Sequence, residues 1–152
     1  MSDTPEPELR PWAAPPPGRL VGRGHAAGDF LEAWAWDVLE ESPGRLRVEA
    51  ALPDHVKNPR GQLFGGFTPT YVDLVALLTL RSAAPRDGRR GWLATLNMRV
   101  DYFEPITRDF EVESRLVNRR GANAWVETRF LDPDSRTLLA FALTTLRETG
   151  IG

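Results

Sequence analysis

Asp73 is the only charged residue in the run from Gly61 to Leu80, GQLFGGFTPTYVDLVALLTL, which Arg60 and Arg81 bracket. An ionised carboxylate in an apolar helix is costly unless it is paired, hydrogen-bonded or neutralised. Groups held at that cost concentrate at functional sites. The plainer reading is an Asp that faces solvent. Upstream lie Asn58 and the pair Gly65-Gly66. Glycine at a helix start lets a ligand approach N–H groups that have no partner in the helix, at the positive end of its dipole. Such donors stabilise a developing oxyanion, and a nearby carboxylate supplies a base or a nucleophile. The plainer role of the glycines is a tight turn, and that of Asn58 is an ordinary loop residue before Pro59.

The elements that must position these groups follow from the pattern. Residues 1–28 read as an N-terminal extension, because Pro5, Pro7, Pro11 and Pro15 to Pro17, with Gly18, Gly22, Gly24 and Gly28, break regular structure. Trp12, Leu20 and Val21 can dock part of it on the domain that fills residues 29–150, and His25 reads as a surface residue. Asp29 is expected to cap a short helix. Alternation predicts a strand near 34–41 and a second over Arg45 to Leu52, joined at Ser42-Pro43-Gly44 as a hairpin. Gly65 to about Ala84 reads as a helix, with Thr68-Pro69 fitting a cap followed by Pro, or with a start at Gly65 or Gly66. Its apolar residues cover most of the circumference, so it is expected to be buried on nearly all sides. Pro85 to Gly91 reads as an exposed connection. Strands are expected over Trp92–Phe103, Asp109–Asn118, Ala122–Leu131 and Arg136–Glu148. One buried helix against a largely antiparallel sheet is an α+β fold.

Composition limits the function. The chain has 152 residues, 41% hydrophobic and 26% charged, which suits one soluble domain with a real core. A net charge of -2 argues against a general nucleic-acid binder. Of the 19 basic residues only Lys57 is not Arg. With no Cys there is no thiolate site or disulfide, and with only His25 and His55 no metal site is expected. The acidic, Pro-rich start lacks the apolar stretch of a secretory signal, so a cytoplasmic location is expected. The apolar run Val72 to Leu80 is too short to span a membrane, which needs roughly 20 residues.

The order and the residues resemble the hotdog-fold acyl-CoA thioesterases, in particular the group typified by the phenylacetic-acid-pathway thioesterase. In that group an Asn-containing loop leads to His-Gly-Gly at a helix start, with an Asp nine residues after the His. Here the stretch reads Asn58-Pro59-Arg60-Gly61-Gln62-Leu63-Phe64-Gly65-Gly66, followed by Asp73. Asn97-Met98-Arg99-Val100-Asp101-Tyr102-Phe103-Glu104-Pro105 resembles a later strand of the family. The resemblance covers roughly residues 30 to 148. One position departs from it: Phe64 stands where the family has His, so an imidazole that can bond substrate or order the loop is lost.

The resemblance implies a hotdog fold, a long helix wrapped by the sheet, and hydrolysis of an acyl-CoA without a cofactor. Gly66 N–H, with Gly65 as the alternative, polarises the thioester carbonyl, and Asp73 acts as general base or as nucleophile. Gly66 and Asp73 are seven residues apart on one helix face, about 10 Å along the axis. That is too far for one subunit to hold both around one carbonyl. The resemblance supplies a homodimer, within a homotetramer as a dimer of dimers, in which Asp73 of one subunit faces Asn58 and Gly66 of the other. Phe64, Thr95 and Asn97 are candidates to touch substrate, Thr70, Leu77 and Ala76 to line an acyl pocket, with core packing the plainer role for Leu77, and Arg119 and Arg120 to meet the CoA phosphates. For the two Arg residues a solvated turn is as good a reading. The other functional readings are a non-catalytic acyl-CoA-binding module and a hotdog dehydratase or hydratase. The latter needs a catalytic His, for which His55 is too isolated.

Overall fold

The computed structural model describes residues 15–83 and 92–149, so the first fourteen residues of the expected extension, with Trp12, and all of the expected 85–91 connection lie outside the described residues. The described segments form α1 (Ala26–Phe30), β1 (Asp37–Ser42), β2 (Arg45–Ala50), α2 (Thr68–Ser82), β3 (Trp92–Tyr102), β4 (Phe110–Arg120), β5 (Asn123–Leu131) and β6 (Leu138–Thr149). The strands make one antiparallel sheet in the order β1-β2-β4-β5-β6-β3. α2 lies across one face of it, so the fold is α+β as expected.

The pattern of two sets that face. Leu46, Val48 and Ala50 of β2 are buried, and they pair with Ser114, Val112 and Phe110 of β4. From there the register carries the buried face to Thr128 and Phe130 of β5 and to Ala140, Ala142, Thr144 and Leu146 of β6. Tyr71 of α2 sits at the centre of this face. Its ring stacks on Trp36 at 5.5 Å and meets Phe110 edge-on at 5.2 Å, and Phe110 meets Phe130 at 5.4 Å. Offset and edge-on pairs of this kind stabilise beyond their buried area. The Tyr71 hydroxyl donates to Ala51 O at 2.8 Å.

Several boundaries differ from expectation. The first helix begins before Asp29: His25 caps it by accepting from Ala27 N, and the Asp29 carboxylate accepts from Gly24 N instead. The expected strand at 34–41 starts at Asp37, because Ala33–Ala35 is a 3-10 turn. Part of the residues 1–28 segment is docked. Val21 is buried in the core, and Arg19 donates to Ala35 O at 2.8 Å and pairs with Asp37 at 2.7 Å. Arg23 lies over the Trp34 ring, a cation–π contact.

The long helix enters through a 3-10 turn, Gly65–Phe67, that runs into α2. The cap position of α2 is Phe67, which offers no side-chain cap bond; Thr68 is already the first helical residue and is buried, and Pro69 sits in the first turn. Its far end is tied to the hairpin. Ser82 Oγ accepts from Gly44 N at 3.1 Å and donates to Thr79 O at 2.6 Å. The hairpin turn needs Gly44, whose φ is +75°. Most of α2 is buried, in line with the expectation of burial on nearly all sides, and Thr70, Asp73 and Leu77 form a half-buried stripe along it. β3 lies beside that stripe and is an edge strand, hydrogen-bonded among the described residues to β6 alone.

Candidate active site

The stripe places the candidate carboxylate. Positions 66, 70, 73 and 77 share one face at helical spacing, and Asp73 is half-buried in its middle. Thr95 Oγ1 of β3 donates to Asp73 Oδ1 at 2.5 Å. A bulge in β3 makes this contact possible. Thr95 pairs with Leu146 but Asn97 pairs with Thr145, so Leu96 is an extra residue. The bulge lets Thr95 and, beyond it, Met98, Val100 and Tyr102 share the helix-facing side. Asn97 falls with Arg99 and Asp101 on the opposite side, and within one chain the sheet does not bring it to Asp73.

The glycine turn is built differently from a capped helix start. Its first internal bond is Phe67 N–H to Phe64 O at 2.9 Å, so the N–H groups of Gly65 and Gly66 precede the bonded ladder. Gly65 O accepts from Thr68 N and from the Tyr102 hydroxyl, the latter at 2.6 Å. Gly66 is small for a reason visible in the packing: a Cβ there would lie 2.7 Å from Phe64 Cε1. The Phe64 ring thus lies against the Gly66 backbone and remains half exposed. It begins a chain of edge-on contacts, to Phe67 at 5.4 Å, from Phe67 to Phe30 at 5.3 Å, and from Phe30 to His55 at 5.0 Å. His55 Nε2 also meets the Phe30 carbonyl oxygen at 2.5 Å, so this imidazole is engaged in holding α1.

Asn58 shapes the loop before the turn. Its Oδ1 accepts from Arg60 N at 2.9 Å and Gln62 N at 3.1 Å, and its backbone N–H donates to Gln62 O. These bonds account for the side-chain oxygen and hold the loop. Ala76 is fully buried in a cluster with Leu80, Ala124, Val126 and Leu146, which corrects its expected place in a pocket wall; Leu77 packs against that cluster from the half-buried stripe. Arg119 and Arg120 end β4 just before Gly121. Arg119 forms an ion pair with Glu148 of β6, so one of the two proposed phosphate ligands carries a carboxylate already. Among the described residues no group of three or more His, Cys, Asp or Glu is arranged to hold a metal ion, and no helix is long and apolar enough to cross a membrane.

The sequence singled out Asp73 and the glycine turn as candidates. It set Thr95 beside Asn97 without distinguishing their faces, and it gave no role to Tyr102. The alternation of β3 carries the needed signal only once the bulge at Leu96 is known.

Comparison with known proteins agrees with the fold. The chain is similar to thioesterase superfamily member 2 of zebra fish, at 19% identity over 78% of this chain and 83% of that one, with a TM-score of 0.67. It is similar to a hypothetical thioesterase of Streptococcus pneumoniae solved with coenzyme A, at 17% identity over 76% and 86%, with a TM-score of 0.66. It is also similar to a putative thioesterase of Ralstonia eutropha described as related to phenylacetic acid degradation, at 21% identity over 83% and 92%, with a TM-score of 0.69. A search of curated proteins gave no match. These likenesses establish the hotdog fold. The family model described as "Thioesterase superfamily" matches residues 60–139, just over half of the chain and the part that holds the glycine turn, Asp73 and Thr95. The chain belongs to the thioesterase superfamily.

Proposed function

We propose that this protein hydrolyses an acyl-CoA thioester to the free acid and CoA. The observation that carries this reading is the Thr95–Asp73 bond, which fixes a half-buried carboxylate on the open stripe of α2. Thr95 occupies Oδ1 and leaves Oδ2 for water. As general base, Asp73 takes a proton from water while the oxygen attacks the thioester carbon. Gly66 N–H, or Gly65 N–H, stabilises the oxyanion. The intermediate collapses, the C–S bond breaks, and the departing sulfur takes the proton back from Asp73. As nucleophile, Asp73 attacks the thioester carbon, the C–S bond breaks and the CoA thiolate leaves; water then cleaves the resulting mixed anhydride, which frees the acid and the Asp73 carboxylate and supplies the proton that the thiolate takes up. Membership of the superfamily supports thioester hydrolysis, and CoA bound to the pneumococcal relative supports the choice of thiol.

The site is assembled between two chains in this reading. β3 offers an eleven-residue open edge with Trp92, Leu96 and Tyr102 more than half exposed, followed by Phe103 in the same state. A long apolar edge of this kind invites pairing with another strand. Edge-to-edge pairing of two β3 strands makes the homodimer in which Asp73 of one chain meets Gly66 and the Asn58 loop of the other, and two dimers make the tetramer. Phe64 and Thr70 line the acyl side. Arg120, with Arg119 where Glu148 yields it, meets the phosphates, and the enzyme acts in the cytoplasm on soluble substrate.

The Phe64 ring against Gly66 favours one second reading, an acyl-CoA-binding module whose oxyanion donor is screened. Release of CoA from aryl, short-chain and long-chain acyl-CoAs separates the two. Turnover of any member of the panel supports hydrolysis. Tight binding of acyl-CoA with no turnover across the panel identifies the binding module.

A further inference from the structure

The Gly65 carbonyl and the Gly66 N–H belong to one peptide plane. Whatever holds the oxygen therefore fixes the direction of the N–H. The Tyr102 hydroxyl donates to that oxygen at 2.6 Å. Its ring also rests on the Gly65 backbone, since a Cβ at Gly65 would lie 3.6 Å from Tyr102 Cε1, an ordinary contact. Tyr102 is the last residue of β3 and is 55% exposed, so it buries little there. Its hydroxyl contact is directed at the glycine turn. The same strand supplies Thr95 to Asp73 seven residues earlier.

We propose that Tyr102 is a positioning residue for the oxyanion donor. Resting on the reading of Gly66 N–H as that donor, it acts in two ways. It holds the 65–66 peptide plane so that the N–H points at the substrate site before substrate arrives, which spares reorganisation during reaction. It also polarises the peptide, because a carbonyl that accepts a hydrogen bond makes the N–H of the same unit a stronger donor. Thr68 N–H adds a second bond to the same oxygen, but from within the turn itself. Tyr102 is the link that ties the turn to the sheet. The edge strand β3 thereby holds both halves of the chemistry, the base through Thr95 and the oxyanion donor through Tyr102.

The test is Tyr102→Phe, which keeps the ring and removes the hydroxyl. The expected result is a kcat lowered roughly tenfold, less than the loss of a whole oxyanion donor. KM and the unfolding temperature stay at the wild-type values. A second readout follows the donor itself. With Asp73→Asn to block turnover, the carbonyl stretch of a bound carbon-13-labelled thioester shifts down in frequency, and adding Tyr102→Phe shrinks that shift. Unchanged kcat and an unchanged carbonyl shift in the Phe variant would overturn the proposal. So would a fall in kcat matched by a lower unfolding temperature, with the carbonyl shift intact. If the wild-type protein turns over no thioester, or Asp73→Asn turns over at the wild-type rate, the underlying reading fails and not this inference alone.

Discussion

In the proposed function the chemistry rests on Asp73 and Thr95, which share a hydrogen bond. Thr95→Val keeps the shape and removes the donor, leaving Asp73 free to rotate. We expect kcat to fall by about 10- to 100-fold, within the range of a misplaced acid–base group, as read from steady-state CoA release. Thr95→Ser is expected to retain most of the activity, since it keeps the hydroxyl. Phe64 is the residue at which this chain departs from the family it resembles. Phe64→His is expected to change the relative rates on aryl and short-chain acyl-CoAs, because the ring covering the Gly66 backbone is replaced by one that can itself donate. Equal ratios in the two proteins across the panel contradict that role. Asp73 was legible in the sequence because a lone charge in an apolar run is costly. Thr95 was only half legible: a threonine in an alternating strand gives no sign of which face it takes.

The elements explain where sequence reading succeeded and where it lost resolution. Burial along β2, β5 and β6 follows a period of two, and the expected strands lie within a few residues of the observed ones. The bulge at Leu96 is invisible to that period, and it decides that Thr95 and not Asn97 faces α2. The 3-10 entry of α2 was equally hidden, because Thr68-Pro69 has the composition of a cap while the turn over Gly65–Phe67 makes Phe67 the cap and Thr68 the first helical residue. Two stability predictions belong at this scale. Tyr71 is buried between α2 and the sheet, and burial pushes its phenol above the ordinary value of 10.0. The neutral form is therefore favoured by folding. Its contribution is complete below about pH 10. It is lost as pH rises further, because the unfolded chain ionises there while the folded chain holds its proton. We expect wild-type stability to fall by on the order of 1 kcal/mol per pH unit from this group. In Tyr71→Phe that slope flattens, while the lost bond to Ala51 O costs about 1 kcal/mol at neutral pH. Urea denaturation at pH 7, 9 and 11 measures both effects. Thr144 is buried on β6, and among the described residues its Oγ1 has no partner. Thr144→Val is expected to stabilise by about 1 kcal/mol, because an unsatisfied buried hydroxyl is replaced by a methyl of the same shape. A lower urea midpoint contradicts this.

For the whole molecule, one chain carries an open edge and an open helix stripe side by side, and the proposed function needs a second chain to close both. A dimer of this kind has a distinctive signature in mixed subunits. Asp73→Asn and Gly66→Pro are each expected to lack activity, the second because it removes the donor N–H. A mixed dimer regains one complete site, with Asp73 from one chain and Gly66 from the other. Mixed dimers as inactive as their parents place both groups within one chain. The sequence made the six-strand, one-helix plan readable because each element carries its own period. A subunit interface leaves no such periodic mark, and only the resemblance suggested one. The most direct measurement is CoA release from an acyl-CoA panel by the wild-type protein and by Asp73→Asn. The account predicts turnover by the wild type and a loss of roughly 1,000-fold in the variant, within the span of acid–base contributions, with acyl-CoA binding retained. An Asp73→Asn protein that turns over at the wild-type rate contradicts it.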